Sequence, residues 1–208
     1  MNGWETFNKA AYWMIRAAYL NILWILFTLM GLGIFGLFPA TVAMFTVAKK
    51  WLVEKDLSLK VFKQFAHVYF QQIVKANLYG VIFGIIAYII YIDFMFIYSN
   101  DQLGVYLLPV IGLMAVIFTA MLAFFFPVYV HFELSFWQYL KQTFLITIAS
   151  PFQYVIILLS AIALGFLITL LPGVIPLFTG SVMALIITYL TGQSLHQIQN
   201  KRKKQLSA

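Results

Sequence analysis

Cysteine is absent from the chain, which excludes disulfides, thiolate metal sites and cysteine nucleophiles. Acids are scarce: Glu5, Glu54, Asp56, Asp93, Asp101 and Glu133 are the whole set. The histidines His67, His131 and His196 show neither HxxxH nor HExxH spacing, so no metal site is expected. His131 and Glu133 are neighbours in sequence, but residues two apart do not share a helix face. No P-loop or GxSxG elbow occurs. Catalysis needs acids, bases or a metal converging on one place. The sequence supplies no such set and no cofactor motif, so neither an enzyme nor a cofactor is expected.

Charge of either sign is also scarce, at 9% of residues against about 25% in soluble domains. Apolar residues take its place: the chain is 63% hydrophobic, contains 21 phenylalanines and has a mean hydropathy of +0.95. A soluble core of this size cannot hide that much apolar surface. The expected fold is all-α, a polytopic transmembrane helix bundle forming one domain over residues 1–208. The net charge of +7 comes largely from lysines bordering apolar runs. Such a pattern faces anionic membrane lipid, and nucleic acid is not an expected partner.

Residues 1–16 carry Trp4, Phe7, Trp13, Met14 and Ile15 beside Lys9 and Arg16. They suggest an interfacial helix. The apolar run Ala17–Leu37 is longer than the core of a signal peptide and is taken as a permanent span. The stretch from Gly36 to Trp51 then organises the topology. Pro39 suits a first helical position, and the rise to Trp51 is only about 20 Å, short of the ~30 Å hydrocarbon layer. Residues 50–77 follow as a lysine-rich connector, in which Phe62, Phe65, Tyr69 and Ile73 recur at helical spacing. Asp56 or Ser58 is its candidate cap.

Further spans are expected at 78–98, 103–130, 152–171 and 174–191. Gly80 and Gly84 give a GxxxG spacing suited to packing within the bundle. A second amphipathic connector covers 131–147, with Phe132, Phe136 and Trp137 on its apolar side, and Ser150-Pro151 ends it. The tail, 196–208, is basic. About six membrane segments result, five full and one short, with two cytoplasmic connectors. Placing the lysine-rich connector inside puts every basic residue inside if residues 39–51 cross the membrane. Both termini are then cytoplasmic.

Three polar residues fall within or beside the spans: Asn21, Asn77 and Asp93. Asp93 is the one intramembrane acid, a class that marks function by default. It lies six residues from Ser99, however, within reach of the outer interface. Asparagines at such positions hydrogen-bond between helices. No unwound break of the kind that carries ions in secondary transporters is visible.

The block Gly36-Leu37-Phe38-Pro39-Ala40-Thr41-Val42-Ala43, then Lys49-Lys50-Trp51, then a Phe-rich basic helix ending at Lys75-Ala76-Asn77, resembles the YesL-like family of bacterial membrane proteins, a domain of unknown function. The stretch from Phe126-Pro127-Val128-Tyr129 to Lys141-Gln142-Thr143-Phe144 is similar to its second recurring block. The resemblance implies a bacterial cell-membrane protein associated with carbohydrate-uptake ABC systems, and carries no catalytic residues. The Glu-Ala-Ala…Gly coupling motif of a sugar permease is absent. What the resemblance implies is therefore a non-catalytic accessory subunit beside such a permease, with the two aromatic connectors available for docking. An independent small-solute transporter or channel is the alternative, with Asn21, Asn77 and Asp93 as the seeds of a polar path.

Overall fold

The computed structural model describes residues 3–99, 101–171, 173 and 175–206, with side chains for all of these except 3, 101–105, 175–176 and 194–206. Among the described residues there are seven helices: α1 (Gly3–Met30), α2 (Ile34–Leu52), α3 (Val61–Tyr98), α4 (Asp101–His131), α5 (Phe136–Ala149), α6 (Pro151–Leu170) and α7 (Ile175–Leu206). Four of them contain windows long and apolar enough to cross a membrane: Trp4–Met30, Val61–Tyr98, Tyr106–His131 and Pro151–Leu170. Leu177–Gln193 is a shorter apolar helix. The sequence expectation of five full spans is thus replaced by four long apolar helices and this shorter one.

The first two expected elements divide differently. Residues 3–16 of the expected interfacial segment and the first span are one helix, and that helix ends at Met30 rather than Leu37. Three glycines set the boundary. Gly33 adopts a φ of 76°, a conformation that side chains other than glycine rarely take. Gly31 and Gly36 let α1 and α2 touch backbone to backbone, and a Cβ on Gly36 would run into the Thr28 carbonyl. The chain reverses there into an antiparallel hairpin. Trp24 on α1 donates from Nε1 to Thr41 Oγ1 on α2 at 3.0 Å. Further along, Trp13 meets Trp51 edge to face, with ring centroids 6.1 Å apart.

α2 is the hub. It begins at Ile34, so Pro39 is an interior residue and not a first helical position. It packs against α1, α3, α4 and α7, and Ala40 to Phe45, Val47, Ala48 and Trp51 are buried. By contrast, α6 buries only Tyr154 and Ile157 and presents the rest of its apolar surface outward. An outward apolar surface of that kind suits lipid.

Of the lysine-rich connector expected at 50–77, residues 50–52 end α2, 53–60 form a loop, and 61–77 are one element with the next span. α3 runs unbroken for 38 residues, about 57 Å of helix. No glycine or proline interrupts 61–79, so the amphipathic pattern gives way to an all-apolar one without a break. Lys60, not Asp56 or Ser58, precedes its first turn. Asp56 instead accepts from the Ser58 amide and hydroxyl within the loop. The second connector contains α5. There the Gln138 side chain accepts from the Ser135 amide at 3.1 Å, one half of a capping box. Pro151 opens α6 at its first turn. In the turn expected at 172–176, residues 172 and 174 lie outside the described set. The side chains of the basic tail 196–208, His196 included, lie outside it as well.

Candidate functional site

Pro39 has no amide hydrogen, so the carbonyl four residues earlier, Phe35 O, loses its helical donor. A carbonyl left unmet in hydrocarbon is unfavourable. Asn77 on α3 meets it, because its Nδ2 donates to Phe35 O at 2.8 Å and also to Ile73 O at 2.8 Å. Beside this contact the Phe38 ring covers Gly80, where a Cβ would come within 2.8 Å of it. Thr41 donates to Leu37 O at 2.7 Å and accepts from Trp24. The Phe-Pro-Ala-Thr block is therefore a three-helix joint.

Lys49 and Trp51 complete the other end of α2. Lys49 Nζ donates to Val130 O at the end of α4 at 3.1 Å and pairs with Glu54 at 3.4 Å. Its charge sits where the α4 dipole is negative. Trp51 is 1% exposed. The Arg16 guanidinium lies 4.3 Å from the Tyr12 ring centroid and 5.2 Å from that of Trp51, and it donates to Leu57 O.

Asn21 is buried in α1. Its Oδ1 accepts from the amides of Gly180 and Ser181 at 2.9 Å each, fastening α7. Asn21 and Asn77 thus hold helices together, and the structure does not bring them to one path. Asp93 is half-buried near the end of α3 and makes no ion pair among the described residues.

The residues expected at a docking surface divide. Phe62 and Trp137 are exposed, at 57% and 73%. Phe65 and Tyr69 are not available: both are buried, with rings 5.1 Å and 5.0 Å from Phe27 of α1. Ile73 and Phe132 pack against the same core. Phe136 stacks on Tyr79 with centroids 4.6 Å apart. An amphipathic stripe shows that a helix has an apolar side, but not whether lipid or another helix covers it.

α2, α3, α4 and α5 enclose a cleft of about 560 Å³. Three tyrosines tie its walls. Tyr79 donates to Phe136 O at 3.2 Å, Tyr139 to Phe132 O at 2.8 Å, and Tyr129 to Gln72 Oε1 at 2.7 Å. Gln71, Lys75 and Glu133 also line the cleft. Aromatic faces, amides and one charge of each sign suit the holding of a polar ligand. Among the described residues no three His, Asp or Glu side chains group as metal ligands. Gln72, Tyr79 and Tyr139 carry no motif that marks them in the sequence. The available signal was a tyrosine on each of three segments, each at the polar end of an apolar run.

Several long apolar helices around a buried hub define a multi-pass helical membrane protein. The family described as "Protein of unknown function, DUF624" matches residues 17–94. Three Bacillus subtilis (strain 168) proteins are similar along most of their length. The uncharacterized protein YteU is 39% identical over 173 residues, covering 83% of this chain and 77% of YteU. The uncharacterized protein YesL is 34% identical over 203 residues, covering 97% and 95%. The uncharacterized protein YesV is 30% identical over 178 residues, covering 85% of each chain. This chain belongs to that YesL-like DUF624 family. No solved structure matches it.

Proposed function

We propose that the protein is a non-catalytic accessory subunit of the bacterial cell membrane, seated beside the permease of a carbohydrate ABC importer. The observation that carries this reading is the pair Phe62 and Trp137, large aromatic side chains left exposed on the two amphipathic connectors. Aromatic side chains are enriched at the cores of protein–protein interfaces. Lys63 and Lys141 flank Phe62 and Trp137 in sequence. The link to carbohydrate uptake comes from the family resemblance. The independent-transporter reading has less support. Asn21 and Asn77, two of its three polar seeds, are engaged in fastening helices.

The proposed topology has six membrane segments with both termini cytoplasmic. The distribution of positive charge carries this topology. The α1–α2 hairpin turns the chain back, but Phe35 at the start of α2 bonds to Asn77 at the base of the apolar half of α3, so the packing itself does not support a full crossing by α2. Mild-detergent purification of the tagged protein from its host, grown on plant polysaccharide and on glucose, tests the function. Stoichiometric recovery of an ABC permease is the expected result. Recovery of the protein alone under both conditions contradicts it and shifts weight to the transporter reading.

A further inference from the structure

Two opposite charges face the tyrosine-lined cleft without pairing. Lys75 and Glu133 both line it, and neither makes an ion pair or a side-chain hydrogen bond among the described residues. The cleft also has a defined position along the helices. On α3, Lys75 is the last charge before the uncharged run 76–92. On α4, the uncharged run 102–130 ends at its rim. In a bilayer, runs of this kind end where the headgroups begin.

The chemistry of the walls fits an amine-bearing zwitterion. The Lys75 ammonium and the Gln71 amide are donors for a phosphate. Glu133 is the partner for an ammonium, and the Tyr79–Phe136 and Tyr129–Tyr139 ring pairs, each packed ring on ring, form the aromatic wall beside it. Glu133 also opposes a headgroup that is only anionic, although the chain's net charge of +7 would otherwise favour one. A path for a tail leads away from the cleft. Leu78 lines its edge, and Leu78, Ile85, Ile89 and Ile92 are exposed along one face of α3. That row is about 21 Å long, comparable with an acyl chain. We propose that the cleft is the headgroup site of a zwitterionic aminophospholipid whose acyl chain lies along this row. The proposal is independent of any permease partner.

Native mass spectrometry of the purified full-length protein tests it, using phosphatidylethanolamine and phosphatidylglycerol of identical acyl chains. The expected result is retention of the ethanolamine lipid roughly tenfold better than the glycerol lipid, the scale of one charge-assisted hydrogen bond. Lys75→Gln should lose the ethanolamine lipid. Glu133→Gln should abolish the preference while keeping lipid bound. Both side chains are exposed, so unfolding temperatures should match the wild type and separate lost binding from lost fold. Soluble glycerophosphoethanolamine should compete only weakly. Equal retention of the two lipids, or a preference unchanged in both variants, overturns the proposal. Tight binding of the soluble headgroup also overturns it, by assigning the cleft to a free solute.

Discussion

Asn77 occupies the hydrogen-bonding position that Pro39 leaves open. The proline strips Phe35 O of its helical donor, and the asparagine, on a different helix, supplies one at 2.8 Å. This turns a local defect in α2 into a specific tie to α3.

Asn77→Ala should destabilise the protein by about 1 kcal/mol, within the range for such bonds between membrane helices. In a Pro39→Ala background the same change should cost less, because an alanine amide can serve Phe35 O. Thermal unfolding of the four proteins in one detergent gives the coupling directly. Equal cost in both backgrounds would show that the two residues act separately.

Glycine substitutions should divide by what a Cβ meets. At Gly36 it strikes the backbone of α1, and Gly36→Ala should cost roughly 1–3 kcal/mol or more, as overpacking does. At Gly84 nothing lies within 4 Å, so Gly84→Ala should stay within about 0.5 kcal/mol. Detergent-stable yield and unfolding temperature check both. Two equal outcomes would contradict the close α1–α2 crossing.

Arg16→Lys keeps the charge but loses the planar group lying against Tyr12 and Trp51. It should still destabilise, by about 0.5–1 kcal/mol from the ring contacts. A lysine variant as stable as the wild type would mean that only the charge matters at this position.

The absence of cysteine makes topology directly testable. Single cysteines replacing Ser58 and Ser135 should be shielded from a membrane-impermeant thiol reagent in intact cells. One replacing Ser99 should react. Labelling of all three, or of Ser58 alone, would contradict a cytoplasmic placement of both connectors.

Helix content and the multi-pass class were legible in the sequence because hydropathy reports them directly. The joins were not. Segment 61–98 looks like two elements because its composition changes at Leu78, yet nothing in the backbone breaks there. The end of α1 was missed because Leu32, Ile34 and Phe35 are as apolar as the span itself. The positive φ angles at Leu32 and Gly33 and the contact between Gly31 and Gly36 reveal the turn. At the candidate site, Phe62 and Phe65 belong to the same sequence stripe. The second turns into the core because Phe27 of α1 covers it, a tertiary fact that periodicity does not hold. The tie from Pro39 to Asn77 was open to inference in one respect: an interior proline always orphans the carbonyl four residues before it.

The exposed connector aromatics are proposed to meet a permease. Photo-crosslinking in living cells tests this most directly, with a photoreactive amino acid placed singly at Phe62, Trp137, Phe65 or Tyr69. Crosslinks to an ABC permease subunit are expected from Phe62 and Trp137, and none from the buried Phe65 and Tyr69. Crosslinks from Phe62 and Trp137 to lipid alone, in cells taking up carbohydrate, would contradict the proposal.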